Sequence, residues 1–374
     1  MAHLLLIRLS AMGDVAMTVP VVRALARRRP ALRLTVLSRE WARPLFEGLG
    51  PQVHFYAADL QRPDGRHRGM AGLRRLYHEL RGLGVTHVAD LHGVLRTHWL
   101  RARFRLGGCP TASIDKRRAL RRALCEAGAE AYLKRHEALP SVFSAYEEVV
   151  ERLERLLDDG TGPQGGGQAP QGGQLFSGDG QGRQGVGPDR SGIGVAPFAA
   201  HAGKELPLAT VERVLALLAK RRPEGRIVLF GRGRREEALF PEWRRRWPRQ
   251  VEVAADTCRD VGDELLLMAG LEAMLSMDSA NQHLASLVGT RVVTVWGQTH
   301  PAAGFMPWGQ RAEDSVQLSM PCRPCSIYGN KRCRLEGVPA GTFPCLSGLQ
   351  AEDIVDRLLM EVNVGDTENG LATT

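Results

Sequence analysis

Short apolar runs recur along this chain, each ended by a polar or glycine-bearing turn and followed by apolar positions at helical spacing. In the first half the runs are His3–Leu9, Arg33–Leu37, Val53–Ala57, Thr86–Leu91 and Thr111–Ile114. A strand covered by helices on both faces of a parallel sheet needs such a run, because neither of its faces meets water. The second half repeats the alternation, with strands expected at Ile193–Ala196, Arg226–Phe230, Val251–Ala254, Ala273–Met277 and Val292–Trp296. Helices are expected at Pro207–Arg221, Arg235–Arg246, Gly262–Ala269 and Asn281–Val288. Strands alternating with helices predict an α/β fold of two doubly wound, Rossmann-like sheets.

The pattern also sets the division of the chain. A helix over Ala138–Leu157 closes a first domain, residues 1–157. Residues 158–192 break every periodicity with Gly, Gln and Pro, and so little apolar surface cannot offset ordering entropy, which predicts a flexible linker. A second domain is expected over residues 193–348, then a helix within 349–364 and a disordered tail at 365–374. A length of 374 residues fits two domains better than one core. No apolar run is long enough to span a bilayer. The start lacks a secretory signal, since Arg8 interrupts its apolar stretch, so a cytoplasmic location is expected.

Charge changes the picture. Residues 1–157 hold 27 Lys+Arg against 15 Asp+Glu, while the rest hold 23 against 26. The excess gathers in Arg27–Arg29, in Arg96 to Arg105, and in Lys116 to Arg118 with Arg121 and Arg122. Such clusters suit nucleic acid, an anionic membrane or phosphorylated ligands, and a solvated high-arginine face explains scattered members as well. No aromatic interleaving or nucleic-acid motif accompanies them, so a membrane or glycolipid surface is favoured and no nucleic acid is expected.

Two strand–turn–helix junctions carry the candidate chemistry. Asp278 and Ser279 end one strand and open a helix whose free N–H groups and dipole suit a phosphate, with His283 one turn further on. Near the N-terminus, Arg8-Leu9-Ser10-Ala11-Met12-Gly13-Asp14 ends another, placing Asp14 at a helix mouth. There it could act as a simple cap, as a reactive carboxylate at a sheet's ligand-binding edge, or as both.

These residues, together with Lys204 in Ala196-Pro197-Phe198-Ala199-Ala200-His201-Ala202-Gly203-Lys204 and the stretch Asp278 to Gly297, resemble the ADP-heptose:lipopolysaccharide heptosyltransferases, glycosyltransferase family 9. The likeness runs from the first residue to about residue 360, apart from the linker. It implies two Rossmann-like domains facing a cleft (GT-B type), with the last helix crossing back to the first domain. It implies Asp14 as general base, and Lys204 and Asp278 at the nucleotide-sugar diphosphate. By position, Ser279, Ala280, His283 and Thr299 join that donor site. A ribose-binding acid falls at Glu236, with Glu237 as the alternative register. Arg8, Ser10, Gly13, Arg96 and Lys116 are candidates for a lipid A–core acceptor. The implied reaction is inverting transfer of heptose from ADP-heptose by an enzyme peripheral to the inner membrane. The chain has no Asp-x-Asp triplet to hold a divalent ion, so no metal and no cofactor are expected, and a helix end with a cation takes the diphosphate charge.

Cys322-x2-Cys325-x7-Cys333-x11-Cys345 remains open between a structural zinc site and reduced thiols. The main alternative function is an NAD(P)-dependent oxidoreductase of two Rossmann-like domains. Against it, the first turn lacks Gly-x-Gly-x-x-Gly and its acid would oppose a pyrophosphate. A family member with another sugar donor is the nearer alternative.

Overall fold

The computed structural model describes residues 2–60, 62–158 and 190–360. The first unit runs β1 (His3–Ile7), α1 (Met12–Ala16), α2 (Val19–Arg28), β2 (Arg33–Ser38), β3 (Val53–Ala57), α3 (Gly69–Gly82), β4 (His87–Asp90) and α4 (Leu95–Leu106). It ends with β5 (Thr111–Ser113), α5 (Arg118–Ala127), α6 (Ala129–Leu133) and α7 (Val142–Asp158). The second runs β6 (Ile193–Ala196), α8 (Leu208–Arg221), β7 (Ile227–Leu229), α9 (Arg234–Arg246), β8 (Val251–Val253), α10 (Ala254–Thr257), α11 (Val261–Ala269) and β9 (Ala273–Met277). After it come α12 (Ala280–Leu287), β10 (Arg291–Val295), β11 (Ser315–Val316), α13 (Pro344–Ser347) and α14 (Ala351–Leu359).

Both sheets are parallel, in the orders β3-β2-β1-β4-β5 and β11-β10-β9-β6-β7-β8. Alternation along β1 explains the layering. Leu4 and Leu6 enter the core under α2 and α7, while Leu5 and Ile7 enter the core under α3 and α4. β9 does the same, with Leu275 and Met277 toward α8 and Met274 toward α11 and α12. Strand order reverses direction at β1/β4 in the first sheet and at β6/β9 in the second. Loops leaving the C-terminal ends of neighbouring strands diverge at such points and leave a crevice between them.

The two units meet. α1 packs on α12, and one apolar cluster includes Val15 and Ala16 of the first unit with Leu284 and Ala285 of the second. The last helix departs from the architecture that the resemblance implies. α14 does not return to the first unit but lies along α8. Its stripe of Ile354, Val355 and Leu358 completes the second core, and Glu352 meets Arg213 at 2.8 Å while Asp356 pairs with Arg221. The expected linker residues 159–189, the end of the final segment (361–364) and the tail 365–374 lie outside the described residues. Among the described residues no helix is long and apolar enough to cross a membrane.

Candidate active site

The first crevice is organised by a buried arginine. Arg8 follows β1 and is 8% exposed. Its Nη1 donates to the Leu91 carbonyl, beyond β4, at 2.7 Å, and its Nη2 lies 2.5 Å from Asp14 Oδ2. Asp14 is the third residue of α1, and the same oxygen accepts from the Ala11 N–H at 3.2 Å. The carboxylate therefore does cap α1, by reaching back from the first turn, yet its side chain stays 30% exposed to the cleft. Tyr146 of α7 supports it from behind. Its hydroxyl donates to the Asp14 carbonyl at 3.2 Å, its ring lies 5.8 Å from the Arg8 guanidinium, and burial raises its phenol well above the ordinary value.

A hollow opens in front of Asp14, lined by Arg8, Lys116, Arg117, Arg121 and Tyr146, with Phe305 and Tyr328 from the second unit. Arg121 stacks on Phe305 at 4.6 Å, and Arg117 pairs with Glu148. Two buried guanidinium donors there, Arg8 Nε and Arg117 Nη1, have no acceptor. Burial lowers the Lys116 amine, and Arg8 and Arg118 lower it further. His92, 3.4 Å from Ser10 Oγ, is pushed down to about 4 by burial and then by Arg8 and Lys116, so it is neutral at physiological pH. Four cations against the carboxylates of Asp14 and Asp115 make this a place for an anionic ligand. Arg96 is not brought here. It stands exposed on the first turn of α4.

In the second crevice Lys204, on the turn after β6, holds its Nζ 2.9 Å from Asp278 Oδ2, after β9. Gln282 Nε2 donates to the other Asp278 oxygen at 3.1 Å. Ser279 is the N-cap residue of α12 with its Oγ 3.3 Å from Ser276 Oγ, so the first-turn N–H groups from Ala280 onward face the crevice without a side-chain cap. His283 is buried on α12, and burial takes its imidazole to about 4 against the opposing pull of Asp278 and Asp14. A Cβ on Gly13 would stand 2.9 Å from His283 Cδ2, so the missing side chain is what lets α1 seat on α12. The two crevices become one cleft at this contact.

Around it, buried polar atoms lack partners: Thr299 Oγ1, both side-chain polar atoms of Gln298, and His283 Nδ1. Unpaired buried groups are rare, and grouped beside a helix N-terminus they suit a polar ligand. The loop carrying Gln298 and Thr299 is held by buried Arg323, whose guanidinium donates to the carbonyls of Trp296, Gly297, Thr299 and Leu318. The Arg323 segment also reaches the first unit. Its carbonyl accepts from the Ala129 N–H, and a Cβ on Gly128 (φ +77°) would strike the Pro321 carbonyl. Arg334 donates to the Cys125 carbonyl at 3.5 Å. Of the two candidate ribose acids, Glu236 folds over Gly231 and Gly233 at the crevice edge, while Glu237 is exposed and Arg235 is taken by Glu205 and Phe198.

The four clustered cysteines are free thiols around one small cavity behind Gln298. Burial raises Cys345 to about 11, which keeps it protonated. Among the described residues no group of three or more His, Cys, Asp or Glu is placed to hold a metal ion. Tyr146, Phe305, Tyr328 and Gln298 were not singled out from the sequence. Arg121 was marked by its place in a basic cluster, but not as a residue of this site.

Comparison with known proteins fits this geometry. The profile described as glycosyltransferase family 9 (heptosyltransferase) matches residues 74–336. No curated protein matches the sequence. Among solved structures, the chain resembles the ADP-heptose lipopolysaccharide heptosyltransferase II of E. coli at 18% identity, over 96% of this chain and 97% of that one, with a TM-score of 0.62. It resembles a family 9 glycosyltransferase of Veillonella parvula at 18% identity, over 95% and 96%, with a TM-score of 0.65. E. coli heptosyltransferase WaaC with ADP follows at 17% identity, over 84% and 92%, with a TM-score of 0.56. At such identities the likeness speaks for the fold, two Rossmann-like units of the GT-B type.

Proposed function

The chain belongs to glycosyltransferase family 9 and is a glycosyltransferase, and on that premise we propose that it transfers heptose from ADP-heptose to a lipopolysaccharide-core acceptor, with inversion and without a metal ion. One observation carries the reading. Across the Gly13–His283 contact, the Asp14 carboxylate of one sheet faces the Lys204–Asp278 pair and α12 N-terminus of the other.

In this reading the acceptor hydroxyl gives its proton to Asp14 as its oxygen attacks the anomeric carbon from the side opposite the diphosphate. The bond from that carbon to the phosphate oxygen breaks, and ADP leaves with the electron pair. Lys204 exchanges its Asp278 contact for the diphosphate, and the N–H groups at Ser279, Ala280 and Asn281 take the rest of the charge with Thr299 beside them. Glu236 accepts from the ribose, and neutral His283 fills the floor between the units. Arg8, Lys116, Arg117 and Arg121 hold phosphate or carboxylate groups of the core sugars, with Ser10 and Gly13 at the entrance. Residues 1–157 are thus the acceptor side and residues 193–348 the nucleotide side. The choice of ADP rests on the E. coli relative solved with ADP and with an ADP-2-deoxy-2-fluoro heptose. An acceptor of this kind is lipid-anchored, which places the enzyme on the cytoplasmic face of the inner membrane as a peripheral protein.

The test is nucleoside diphosphate release from ADP-, UDP- and GDP-heptose, with a deacylated core acceptor and EDTA present. Acceptor-dependent release from ADP-heptose alone is expected. Turnover of a UDP or GDP donor would overturn the donor assignment. Inactivation by EDTA that magnesium or manganese restores would overturn the metal-free mechanism.

A further inference from the structure

The basic cluster after β5 is already committed: Arg117 and Arg121 line the hollow, one paired with Glu148 and the other stacked on Phe305. A different surface is free. α4 buries Thr97, Leu100 and Phe104 in the first unit, as an amphipathic helix should. Its opposite side is also apolar, which a surface helix does not need. Leu95 and Leu106 are 85% and 81% exposed, and exposed Ala102 and half-buried Trp99 lie on the line between them. Positions 95, 99, 102 and 106 fall on one helical stripe, about 16 Å from end to end. Arg96 and Arg103 flank it on one side, His98, Arg101 and Arg105 on the other, and the helix carries no acid. On the second flank His98, Arg101, Arg105 and Arg152 line a groove over Thr111 and Ser113 that has no carboxylate in its wall.

We propose that the solvent face of α4 is an interfacial docking helix for an anionic lipid bilayer, with the leucines entering the acyl boundary and the arginine groove taking lipid phosphate. An apolar line between two cationic flanks is what a helix lying in a bilayer surface requires, and acids would be repelled there. The stripe is convex and has neither the concavity of a protein-binding groove nor an open row of stacking rings. α4 starts just beyond the Leu91 loop that Arg8 holds, so a bilayer on this face presents its lipid-anchored sugars at the cleft mouth. This inference rests on the lipid-anchored acceptor proposed above.

The experiment is flotation of the full chain with vesicles of phosphatidylcholine, alone or with about a third phosphatidylglycerol. The wild type is expected to float with the anionic vesicles only. L95S/L106S should weaken that binding about tenfold or more, and R105Q should weaken it while making the remaining binding less sensitive to salt. L95S/L106S should turn over the deacylated acceptor at the wild-type rate, because neither leucine touches the cleft. Unchanged vesicle binding by L95S/L106S overturns the assignment to α4, whereas a wild type that floats with no vesicle overturns the membrane reading itself. Equal binding to neutral vesicles, or a self-association in sedimentation that L95S/L106S abolishes while vesicle binding persists, also overturns it. Failure of heptose transfer in the donor assay would instead strike the function and leave flotation intact.

Discussion

Replacing Asp14 by Asn separates the carboxylate's chemistry from its structural work. The structural work is modest and can be counted. Asp14 accepts from the Ala11 N–H at 3.2 Å, which an amide oxygen can also do, and it faces Arg8 at 2.5 Å, which an amide does more weakly. Arg8 keeps its bond to the Leu91 carbonyl. The loss is therefore one charge-assisted contact with a side chain 30% exposed, about 1–2 kcal/mol, which in a chain of this size lowers Tm by only a few degrees. The protein stays folded in the assay. The catalytic loss should be much larger, because an amide cannot take a proton: about 10²- to 10⁴-fold in kcat, or about 3–5 kcal/mol of barrier. ADP affinity, measured by titration calorimetry, should stay within about threefold, since the proposed nucleotide site is on the other unit. Initial rates of ADP release from ADP-heptose give kcat. If D14N keeps more than about a tenth of wild-type turnover, or if saturating donor restores its rate, Asp14 is a cap and not the base.

Lys204→Ala should weaken ADP about ten- to a hundredfold and slow transfer, because it removes the proposed charge-assisted phosphate contact and strands buried Asp278; full ADP affinity by calorimetry would refute the donor assignment. Gly13→Ala inserts a methyl 2.9 Å from His283 Cδ2 and 3.4 Å from the Ala280 Cα, so kcat should fall about a hundredfold as α1 is pushed from α12, with ADP affinity nearly unchanged. Wild-type turnover by G13A would show that the close approach is not needed. His92, His283 and His300 sit at about 4 in the folded protein against an ordinary value near 6.5, so the folded state binds fewer protons than the unfolded one in that interval. Stability is then fully present above about pH 6.5 and lost as pH falls toward 4, and a denaturation midpoint that stays flat over that window would contradict the burial of these rings.

The sequence made the two sheets readable because parallel strands are buried on both faces and leave apolar runs. Ile193–Ala196 and Ala273–Met277, buried at every position, fall where their composition puts them, and the half-buried edge strand Val53–Ala57 keeps its expected bounds as well. β11, only two residues long, has too little pattern to be read. The course of the final helix was not legible either, because the stripe Ile354, Val355 and Leu358 announces an apolar partner without saying which sheet supplies it. The site divides in the same way. Asp14 and Asp278 lie at strand ends, where parallel topology puts ligand loops, and local pattern points to them; Lys204, on the turn after β6, is pointed to by the family resemblance. Tyr146 reaches Asp14 across 132 residues, and Arg121 meets Phe305 from the other unit, so nothing near either in the chain betrays the partner. Glu236 and Glu237 could be told apart only by which way the first turn of α9 faces.

The loop anchored by Arg323 makes the two halves of this enzyme less interchangeable than the chain's division implies. A hybrid built by cutting between residues 158 and 192 and grafting on the first half of another family member would bring in a foreign α5–α6 corner. It would keep the native Pro321 and Arg323 carbonyls and the Arg334 side chain that were shaped to that corner at Gly128, Ala129 and Cys125. Because Arg323 also fixes the carbonyls beside Gln298 and Thr299, a misfit at the grafted corner would be felt in the loop after β10, far from the join. The unit that can be exchanged without breaking this contact is therefore discontinuous: residues 1–157 together with residues 318–336.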